Sequence, residues 1–574
     1  MLTQDQISQW GTNPRVPYAL RQQFLTKKED PKWLADAFGS NIDFGTAGMR
    51  GLLEPGTNRI NLFTVGRVTE GLARLMMDAG QDAIKRGVVI SFDSRYHSAE
   101  FAQHSAEILG HHGIKVYLFD SLRPTPELSF ATRYLKTYAG IMITASHNAK
   151  QYNGYKIYGE DGAQMPPEAA EKVVKYADQV DFFSVETTPL SQLRRTNLVQ
   201  MVGEDVDRAY LERLKTVNVN HDLIAKTADQ LKIVYTPLHG TGKVLYARAF
   251  AQGGFKNIIP VVSQTILDPE FSTTVKPNPE FHQVFDEGIK IAKREKASFI
   301  VATDPDADRM GVCVRDQNDD FQVLTGNQIA ALMMNYLLVN LKAEGKLNSS
   351  YEVITSIVSS ALPFKIARHY GVKTKYVLTG FKYIGEEIDW LQKENDGNFL
   401  MGFEESYGYL FKTFNRDKDA MQGALMLAEV AAYYASRQMT LFDGLQEIWK
   451  QYGATCEITR AIEMPGIGGQ KKMAAIMKKL RQEHLSTISG CEVVEIQDFL
   501  SKTCTKSGQN LPLNGFPVAN VLKYQLRDQT WVALRPSGTE PVIKAYVGAT
   551  EQTYEKARQK ALQYQEALNQ LIQG

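Results

Sequence analysis

The sequence has little cysteine, no excess of charge and no long apolar run. Its four cysteines are Cys313, Cys456, Cys491 and Cys504. Four cysteines are too few for a disulfide scaffold in a chain of 574 residues, and no two of them form a C-x-x-C pair, so a reducing cytoplasm is the expected location. The formal net charge is +1, so the composition gives no electrostatic reason to expect a nucleic acid or a membrane surface as partner.

Hydrophobic segments fall short of what a membrane or a secretory signal requires. The most apolar stretch, residues 329–341, is interrupted by Asn335 and Asn340, and it is shorter than the ~20 residues of a membrane span. The opening residues, MLTQDQISQW, contain no apolar segment typical of a signal peptide. We therefore expect a soluble cytoplasmic chain.

Short apolar segments that alternate with helix-length segments indicate an α/β fold. The composition, with 43% hydrophobic and 22% charged residues, is that of a globular protein, and the length predicts roughly four domains at ~150 residues each. Helices are predicted at 101–111, 281–294 and 328–342, which favours parallel sheets with helices on their faces. Strands are predicted at 88–92, 114–119, 140–144, 232–236, 258–262, 298–302, 353–358, 375–378 and 398–403.

The last part of the chain has a different pattern. Two segments with helical periodicity, 471–485 and 554–572, enclose strand candidates at 491–496, 531–534 and 542–547. This part is therefore predicted to form a separate α+β domain. The four predicted domains are residues 1–208, 209–323, 324–450 and 451–574.

Polar loops directly follow four of the predicted strands, and one such loop lies in each predicted domain. In open α/β sheets, ligands bind beyond the carboxyl ends of the strands. Four loops of this kind can therefore meet in one cleft, and the alternative is four unrelated surface turns. The loops are residues 144–148, 304–309, 404–406 and 535–539.

Three aspartates at alternate positions dominate the second loop. Asp304, Asp306 and Asp308 crowd like charges together, and Mg²⁺ prefers oxygen ligands of this kind. A calcium EF-hand would need Gly at the sixth position and Glu at the twelfth, where this chain has Arg309 and Arg315. The pattern predicts a divalent metal site, with Arg309 suited to a phosphate oxygen. A solvated acidic loop is the alternative.

The first loop offers a serine beside the predicted metal. Ser146 and His147 are neighbours, and on extended chain neighbouring side chains point to opposite faces. No G-x-S-x-G elbow surrounds them, so a hydrolase dyad is not expected. A serine beside a metal can instead carry a phosphoryl group, and the alternative is an ordinary turn residue. Asn153-Gly154 indicates a turn, and Lys156 after it adds a cation near this loop.

The other two loops carry groups suited to phosphate and to sugar hydroxyls. Arg535, Ser537 and Thr539 surround a glycine, which combines a guanidinium, two hydroxyls and exposed backbone N–H groups into an anion cradle. A simple Pro-Gly turn is the alternative there. Glu404 and Ser406 offer an acceptor and a hydroxyl, which suit sugar hydroxyls rather than phosphate.

Glycine clusters elsewhere do not match nucleotide-binding motifs. The run GTGK at 240–243 is not a Walker A loop, and the glycines at 45–51 do not have the G-x-G-x-x-G spacing. Arg50 lies within the second cluster, GTAGMRG, where glycines permit close approach of a phosphate.

With these motifs in order, the chain resembles the α-D-phosphohexomutase superfamily over essentially its whole length. It is most similar to the bacterial α-phosphoglucomutase branch that also contains phosphopentomutases. The similar motifs are TASHN and NGYK of the phosphoserine loop, DPDADR of the metal loop, GFEES of the sugar-binding loop and RPSGTEP of the phosphate-binding loop. The resemblance implies three Rossmann-like α/β domains with mixed sheets and a fourth, TATA-binding-protein-like α+β domain, around one central cleft.

The resemblance also implies a reversible transfer of phosphate between the 1- and 6-hydroxyls of glucose, with sugar phosphates as the only partners. Phosphorylated Ser146 would donate its phosphoryl group, giving glucose 1,6-bisphosphate, while Ser146, Asp304, Asp306 and Asp308 hold Mg²⁺. The implied catalytic residues are Arg50, Ser146, His147, Lys156 and Lys418, the two lysines being candidates for proton transfer. The implied substrate-binding residues are Arg309, Thr379, Gly380, Glu404, Ser406, Arg535, Ser537, Gly538 and Thr539.

Two departures from the family pattern stand out. Ala149 replaces the proline that usually follows His-Asn, which frees the backbone φ without removing a catalytic group. Phe403 separates Gly402 from Glu404, as in the phosphopentomutase-containing branch, whereas Ser406 matches the glucose-selective members. Glucose is the predicted sugar, and a phosphopentomutase or phosphomannomutase is the alternative. A non-catalytic sugar-phosphate sensor is disfavoured because the serine and all three aspartates are present.

Overall fold

The strands of the chain form four sheets that follow one another along the sequence. The computed structural model describes residues 3–45, 48–394, 398–464, 468–537 and 542–573. Within these ranges, no helix is both long enough and apolar enough to cross a membrane. The domain boundaries after residues 208, 323 and 450 stay a prediction.

The first sheet is mixed and has seven strands. They are β1 (Phe44–Gly45), β2 (Gly48–Leu52), β3 (Val88–Phe92), β4 (Val116–Phe119), β5 (Ala139–Ile143), β6 (Tyr152–Gly159) and β7 (Val199–Val202). The helices are α1 (Gln4–Thr12), α2 (Tyr18–Lys27), α3 (Pro31–Phe38), α4 (Leu62–Ala79), α5 (Gln81–Arg86), α6 (Ser98–His111), α7 (Thr125–Tyr134), α8 (Pro167–Ala177) and α9 (Leu190–Arg195). The strand order is β1-β2-β6-β5-β3-β4-β7. The central β5 is buried along its whole length because both faces of the sheet are covered.

The second sheet has five strands, β8 (Ile233–Thr236), β9 (Ile258–Pro260), β10 (Phe299–Thr303), β11 (Met310–Arg315) and β12 (Phe321–Leu324). The α-helices of this region are α10 (Glu204–Leu214), α11 (His221–Thr227), α12 (Gly242–Gln252), α13 (Val262–Thr265) and α14 (Asp286–Glu295), with 3₁₀ turns at Ala228–Gln230 and His282–Phe285. The order is β12-β11-β10-β8-β9. β10 is parallel to β8 and antiparallel to β11, so a tight loop follows its carboxyl end.

The third sheet has four strands, β13 (Tyr351–Ser356), β14 (Lys373–Val377), β15 (Asn398–Glu404) and β16 (Gly408–Leu410). Its helices are α15 (Gly326–Ala343), α16 (Ala361–His369), α17 (Phe381–Glu394), α18 (Ala420–Ser436) and α19 (Leu441–Tyr452). β13 lies between β14 and β15 and is parallel to both. A capping box between Thr325 and Gln328 fixes the start of α15.

The fourth sheet is antiparallel throughout. Its strands are β17 (Ala454–Glu463), β18 (Thr487–Ile488), β19 (Cys491–Asp498), β20 (Thr503–Lys506), β21 (Gln509–Pro512), β22 (Leu522–Leu526), β23 (Trp531–Pro536) and β24 (Val542–Glu551). Two helices, α20 (Gly469–Glu483) and α21 (Tyr554–Gln573), accompany them. The apolar residues of both helices pack with the sheet into a core of their own.

One apolar core joins the first three sheets. It contains Phe130 of α7, Phe299 of β10 and Met401 of β15, which come from three different predicted domains. A smaller cluster joins Val358 to Trp531 and so connects the third sheet to the fourth. This packing brings together the loops that follow β5, β10 and β15.

The predicted fold class is confirmed: mixed α/β sheets are followed by an antiparallel α+β unit. The predicted turn at Asn153-Gly154 is wrong, since both residues lie in β6. A Cβ on Gly154 would lie 2.5 Å from the Thr144 carbonyl oxygen and 2.7 Å from that of Met49, so this glycine permits close strand packing. The Asn153 amide donates to Tyr96 O at 2.9 Å instead of closing a turn. Arg535 likewise lies within β23, which ends at Pro536, rather than opening a loop.

Candidate active site

The loop after β5 presents Ser146 in a buried and strained conformation. Its φ is 51°, a left-handed value that costs a non-glycine residue roughly 1 kcal/mol. The Ser146 hydroxyl donates to Asp304 Oδ2 at 2.6 Å and lies 3.1 Å from His147 Nδ1. The expectation that Ser146 and His147 point to opposite faces is therefore wrong, because the chain is not extended at Ser146.

The three aspartates after β10 form a buried cluster whose carboxylate oxygens lie within 4.8 Å of one another. Asp304 Oδ1 accepts from the N–H groups of Asp308 at 3.2 Å and Arg309 at 3.0 Å. Burial, followed by the charges of Asp306 and Asp308, raises the pKa of Asp304 well above its ordinary value. A divalent cation would relieve this repulsion.

The cluster also keeps oxygen atoms available for a metal. Asp306 Oδ2 accepts from Thr125 Oγ1 at 2.8 Å, whereas Asp306 Oδ1 is buried and receives no hydrogen bond from the described residues. Within the described part of the chain, Asp308 Oδ1 likewise receives no hydrogen bond, and the Arg309 Nε lies 3.9 Å away. Buried carboxylate oxygens without donors fit the oxygen ligands that Mg²⁺ takes.

Two lysines reach the acidic cluster from different sheets. Lys156 Nζ, carried by β6, lies 2.9 Å from Asp306 Oδ2 and 3.5 Å from Asp308 Oδ2. Lys418 Nζ, just before α18, lies 2.8 Å from Asp308 Oδ2 and 3.3 Å from Asp417 Oδ1. Burial alone would lower the pKa of Lys418, but the charges of Asp308 and Asp417 hold it above its ordinary value. Lys418 is thus part of the buried cluster and not of a surface charge run.

Two arginines flank the serine and the acidic cluster. Arg50 donates to Asn148 Oδ1 at 3.0 Å, and Arg309 donates to Glu280 Oε1 at 3.3 Å. Burial, followed by the charges of Arg309 and Arg50, lowers the pKa of His147 well below its ordinary value. His147 is therefore neutral near pH 7, while the site keeps its positive charge on arginine and lysine.

The third sheet contributes an acidic side of the site. Glu404 Oε1 accepts from the Gly380 N–H at 2.8 Å, so the segment at Thr379 and Gly380 meets the end of β15. Burial, followed by the charge of Glu405, raises the pKa of Glu404 to about 7. Ser406 is half-buried two residues further on. The structure thus brings together Gly380 and Glu404, two of the residues predicted to bind the substrate.

The fourth sheet contributes a cationic wall. Arg535 of β23 is paired in register with Lys544 of β24, and both line a cleft of about 400 Å³ together with Thr379 and Ser537. Burial, followed by the charges of Arg535 and Arg309, lowers the pKa of Lys544. The predicted residues Gly538 and Thr539 lie outside the described residues.

Three charged residues of this region carry little or no signal in the sequence. Lys544 is a single charged residue in the apolar run 542–549 of β24, and its place opposite Arg535 follows only from the pairing of the strands. Glu280 and Arg95 have none, because their roles depend on contacts distant in sequence. Arg95 donates to the carbonyl oxygen of Ser146 across 51 positions.

Chemically, the site combines a hydroxyl, buried metal-ligating oxygens and ammonium groups at one end with Arg535 and Lys544 at the other. The charge of Arg309, beside the acidic cluster, also contributes to the lowered pKa of Lys544, which lines the 400 Å³ cleft. Cations at both places suit a molecule that carries two anionic groups, one of which is transferred.

Sequence models of one family match four successive segments of the chain. They are described as Phosphoglucomutase/phosphomannomutase alpha/beta/alpha domains I, II and III and the C-terminal domain, at residues 41–184, 208–317, 325–452 and 471–563. The fold and the site thus define a protein of the phosphohexomutase class. The chain belongs to the phosphoglucomutase/phosphomannomutase family, which confirms the resemblance found in the sequence.

Two relatives from staphylococci are similar to this chain over most of its length. A protein named Phosphoglucomutase from Staphylococcus epidermidis is 38% identical over 528 residues, covering 92% of this chain and 94% of the relative. A protein of the same name from Staphylococcus aureus is 37% identical over 526 residues, and this alignment covers 92% of each chain.

Solved structures show the same fold at lower sequence identity. The pp63/parafusin phosphoprotein of Paramecium, in an open form, gives a TM-score of 0.68 at 18% identity and covers 93% of this chain and 95% of its own. A phosphoglucomutase/phosphomannomutase family protein from Burkholderia thailandensis gives a TM-score of 0.65 at 18% identity, and the match covers 92% of this chain and 98% of that protein.

Proposed function

We propose that this chain interconverts α-D-glucose 1-phosphate and glucose 6-phosphate as a phosphoglucomutase. The observation that carries this function is the Ser146 hydroxyl, which lies 2.6 Å from a carboxylate oxygen of the buried acidic cluster. A cleft lined by Arg535 and Lys544 offers cations for a second phosphate. Relatives named Phosphoglucomutase at 37–38% identity support the choice of sugar. The proposed location is the cytoplasm and the proposed partners are sugar phosphates alone.

In the proposed reaction, Ser146 carries the phosphoryl group at the start of each turnover. The bond between phosphorus and Ser146 Oγ breaks while a bond forms from phosphorus to the free hydroxyl of the sugar phosphate. The product is glucose 1,6-bisphosphate, which turns over in the cleft and returns its other phosphoryl group to Ser146. Lys156 and Lys418 are proposed to move the protons between the sugar hydroxyl and the serine oxygen.

The buried cluster is proposed to hold Mg²⁺ through Asp304, Asp306 and Asp308, together with an oxygen at Ser146. When bound, the metal supplies Lewis-acid stabilisation of the charge on the transferred phosphoryl group. Arg50, His147 and Arg309 surround the same place and orient the oxygen atoms of that group. Their donors are fixed before substrate binds, which is how preorganised sites stabilise a developing charge.

The sugar and the second phosphate are proposed to bind on the far side of the cleft. Glu404 and Ser406 would accept and donate hydrogen bonds to sugar hydroxyls, next to Thr379 and Gly380. The phosphate that does not react would bind Arg535, with Ser537, Gly538 and Thr539 completing the cradle and Lys544 adding a second cation. A site that hydrogen-bonds a substrate hydroxyl discriminates strongly against analogues that lack it.

Replacing Arg535 by alanine tests the phosphate cradle. Loss of a charge-assisted hydrogen bond of about 1.5–3 kcal/mol raises KM for glucose 1-phosphate roughly 10- to 100-fold. The same change at Arg527, an exposed residue just after β22 that pairs with Glu492 at 2.6 Å, leaves KM unchanged. Equal KM values for the two variants would mean that the cradle is misassigned.

The proposed substrate is tested by initial rates on glucose 1-phosphate, ribose 1-phosphate and mannose 1-phosphate, each with Mg²⁺ and a trace of the matching bisphosphate. The quantity compared is kcat/KM, which defines discrimination between substrates. We expect a clear preference for glucose 1-phosphate, lost when Glu404 is replaced by glutamine. A preference for ribose 1-phosphate would contradict the sugar assignment and leave the phosphoserine chemistry standing.

A further inference from the structure

We propose that Arg95 is a positioning residue that holds Ser146 in its reactive conformation. It also connects the serine loop, residues 144–151, to the part of the chain that forms the second sheet. This inference rests on the proposed role of Ser146. Arg95 lies between β3 and α6, is 4% exposed, and belongs to no motif found in the sequence.

The guanidinium group of Arg95 holds the serine loop by its backbone. It donates to the carbonyl oxygens of Ser146 and Asn148, and to those of Ala149 at 2.9 Å and Tyr152 at 3.1 Å. Three carbonyls of the loop and one from the first residue of β6 thus converge on one planar group, which suits the fixed fork of arginine donors. Because Ala149 has no ring to restrict its φ, the hydrogen bonds from Arg95 supply restraint that the usual proline would give.

A second chain of contacts fixes the position of the guanidinium and of the serine amide. Arg95 Nε lies 3.2 Å from Asp93 Oδ2, and the same oxygen accepts from Thr144 Oγ1 at 2.7 Å. Thr144 Oγ1 in turn accepts from the Ser146 N–H at 2.8 Å. Both the amide and the carbonyl of Ser146 are therefore held through one buried ion pair.

The other face of the Arg95 guanidinium contacts a segment between β9 and β10 of the second sheet. The guanidinium carbon lies 4.9 Å from the centre of the Phe271 ring. Beside it, Lys150 of the serine loop forms an ion pair with Glu270. Arg95 therefore fixes Ser146 relative to the domain that carries Asp304, and a shift of about 1 Å in such a geometry costs roughly 100-fold in rate.

The test compares Arg95→Lys with Arg67→Lys. Arg67 is a matched control because it is also buried, donates to the Ala177 carbonyl at 2.9 Å and lies 4.1 Å from the Phe182 ring, yet it does not touch the serine loop. We expect Arg95→Lys to lower kcat about 100-fold with KM within about threefold, while Arg67→Lys keeps the wild-type kcat.

Two further measurements separate positioning from general loss of stability. Amide hydrogen exchange in a peptide covering residues 144–152 speeds up in Arg95→Lys and not in Arg67→Lys. Thr144→Val, which breaks the second chain of contacts with nearly the same shape, lowers kcat about 10-fold with KM unchanged.

The inference is overturned if Arg95→Lys and Arg67→Lys have the same kcat and the same exchange in residues 144–152. It is also overturned if KM rises as much as kcat falls, since that would place Arg95 in substrate binding. Absence of mutase activity in the wild type would contradict the proposed function instead, and the exchange measurement would still test whether Arg95 holds the loop.

Discussion

Ser146→Ala is expected to reduce kcat on glucose 1-phosphate by about four orders of magnitude or more, since removing a nucleophile abolishes its covalent route. The hydroxyl that is lost lies 2.6 Å from Asp304 Oδ2, and no other serine or threonine hydroxyl among the described residues bonds to Asp304. KM is not informative for this variant because the phosphorylated form that binds substrate cannot arise. Steady-state rates with added glucose 1,6-bisphosphate measure the loss.

Ser91→Ala is the matched control for this experiment. Ser91 is also fully buried, lies on the neighbouring strand β3 and donates to the Arg123 carbonyl at 3.1 Å. Its removal costs a buried hydrogen bond of ~1 kcal/mol and leaves kcat within about threefold. Substantial turnover by Ser146→Ala would show that another group carries the phosphoryl transfer.

Removal of divalent cations, or the substitution Asp306→Asn, is expected to cause the second largest loss of kcat. Three buried carboxylates within 4.8 Å of one another repel each other, so a cation that binds them stabilises the folded protein as well as the transition state. At a concentration of about 100 Kd, Mg²⁺ adds about 2.7 kcal/mol of stability. We expect Mg²⁺ to raise the Tm of the wild type by a few degrees and to leave the Tm of Asp306→Asn nearly unchanged. The kcat of Asp306→Asn falls about 100- to 1000-fold.

An exposed aspartate close in sequence provides the control. Asp319 lies 3.1 Å from Arg315 and is not among the residues that line the cleft. Asp319→Asn keeps both the Mg²⁺-dependent rise in Tm and the activity. If Asp306→Asn and Asp319→Asn respond to Mg²⁺ alike, the metal is bound somewhere other than the cluster of Asp304, Asp306 and Asp308.

Local patterns predicted the strands and the loops that follow them. The run before Ser146 is β5 and the run before Asp304 is β10, because continuous apolar segments of this length are buried on both faces of a sheet. The acidic cluster could be predicted because its three members are close in sequence. The meeting of Glu404 with Gly380 followed from the resemblance and not from any local signal.

What could not be predicted depends on contacts between distant segments. Asn153-Gly154 has the composition of a turn, but in the folded chain Gly154 permits close packing of β6 against Thr144 and Met49. The conformation of Ser146 is equally non-local, since its φ of 51° is stabilised by Arg95 and Asp93 from another loop. Lys544 could be recognised only once β23 and β24 were paired.

Ser146 is proposed to carry the phosphoryl group between two positions of one sugar. Peptide mass spectrometry after exposure to glucose 1,6-bisphosphate, and again after addition of glucose 1-phosphate, tests this role directly. We expect an added mass of about 80 Da on the peptide that contains Ser146, lost again as bisphosphate forms. Phosphate on a different residue, or sustained turnover by a chain that never gains this mass, would contradict it.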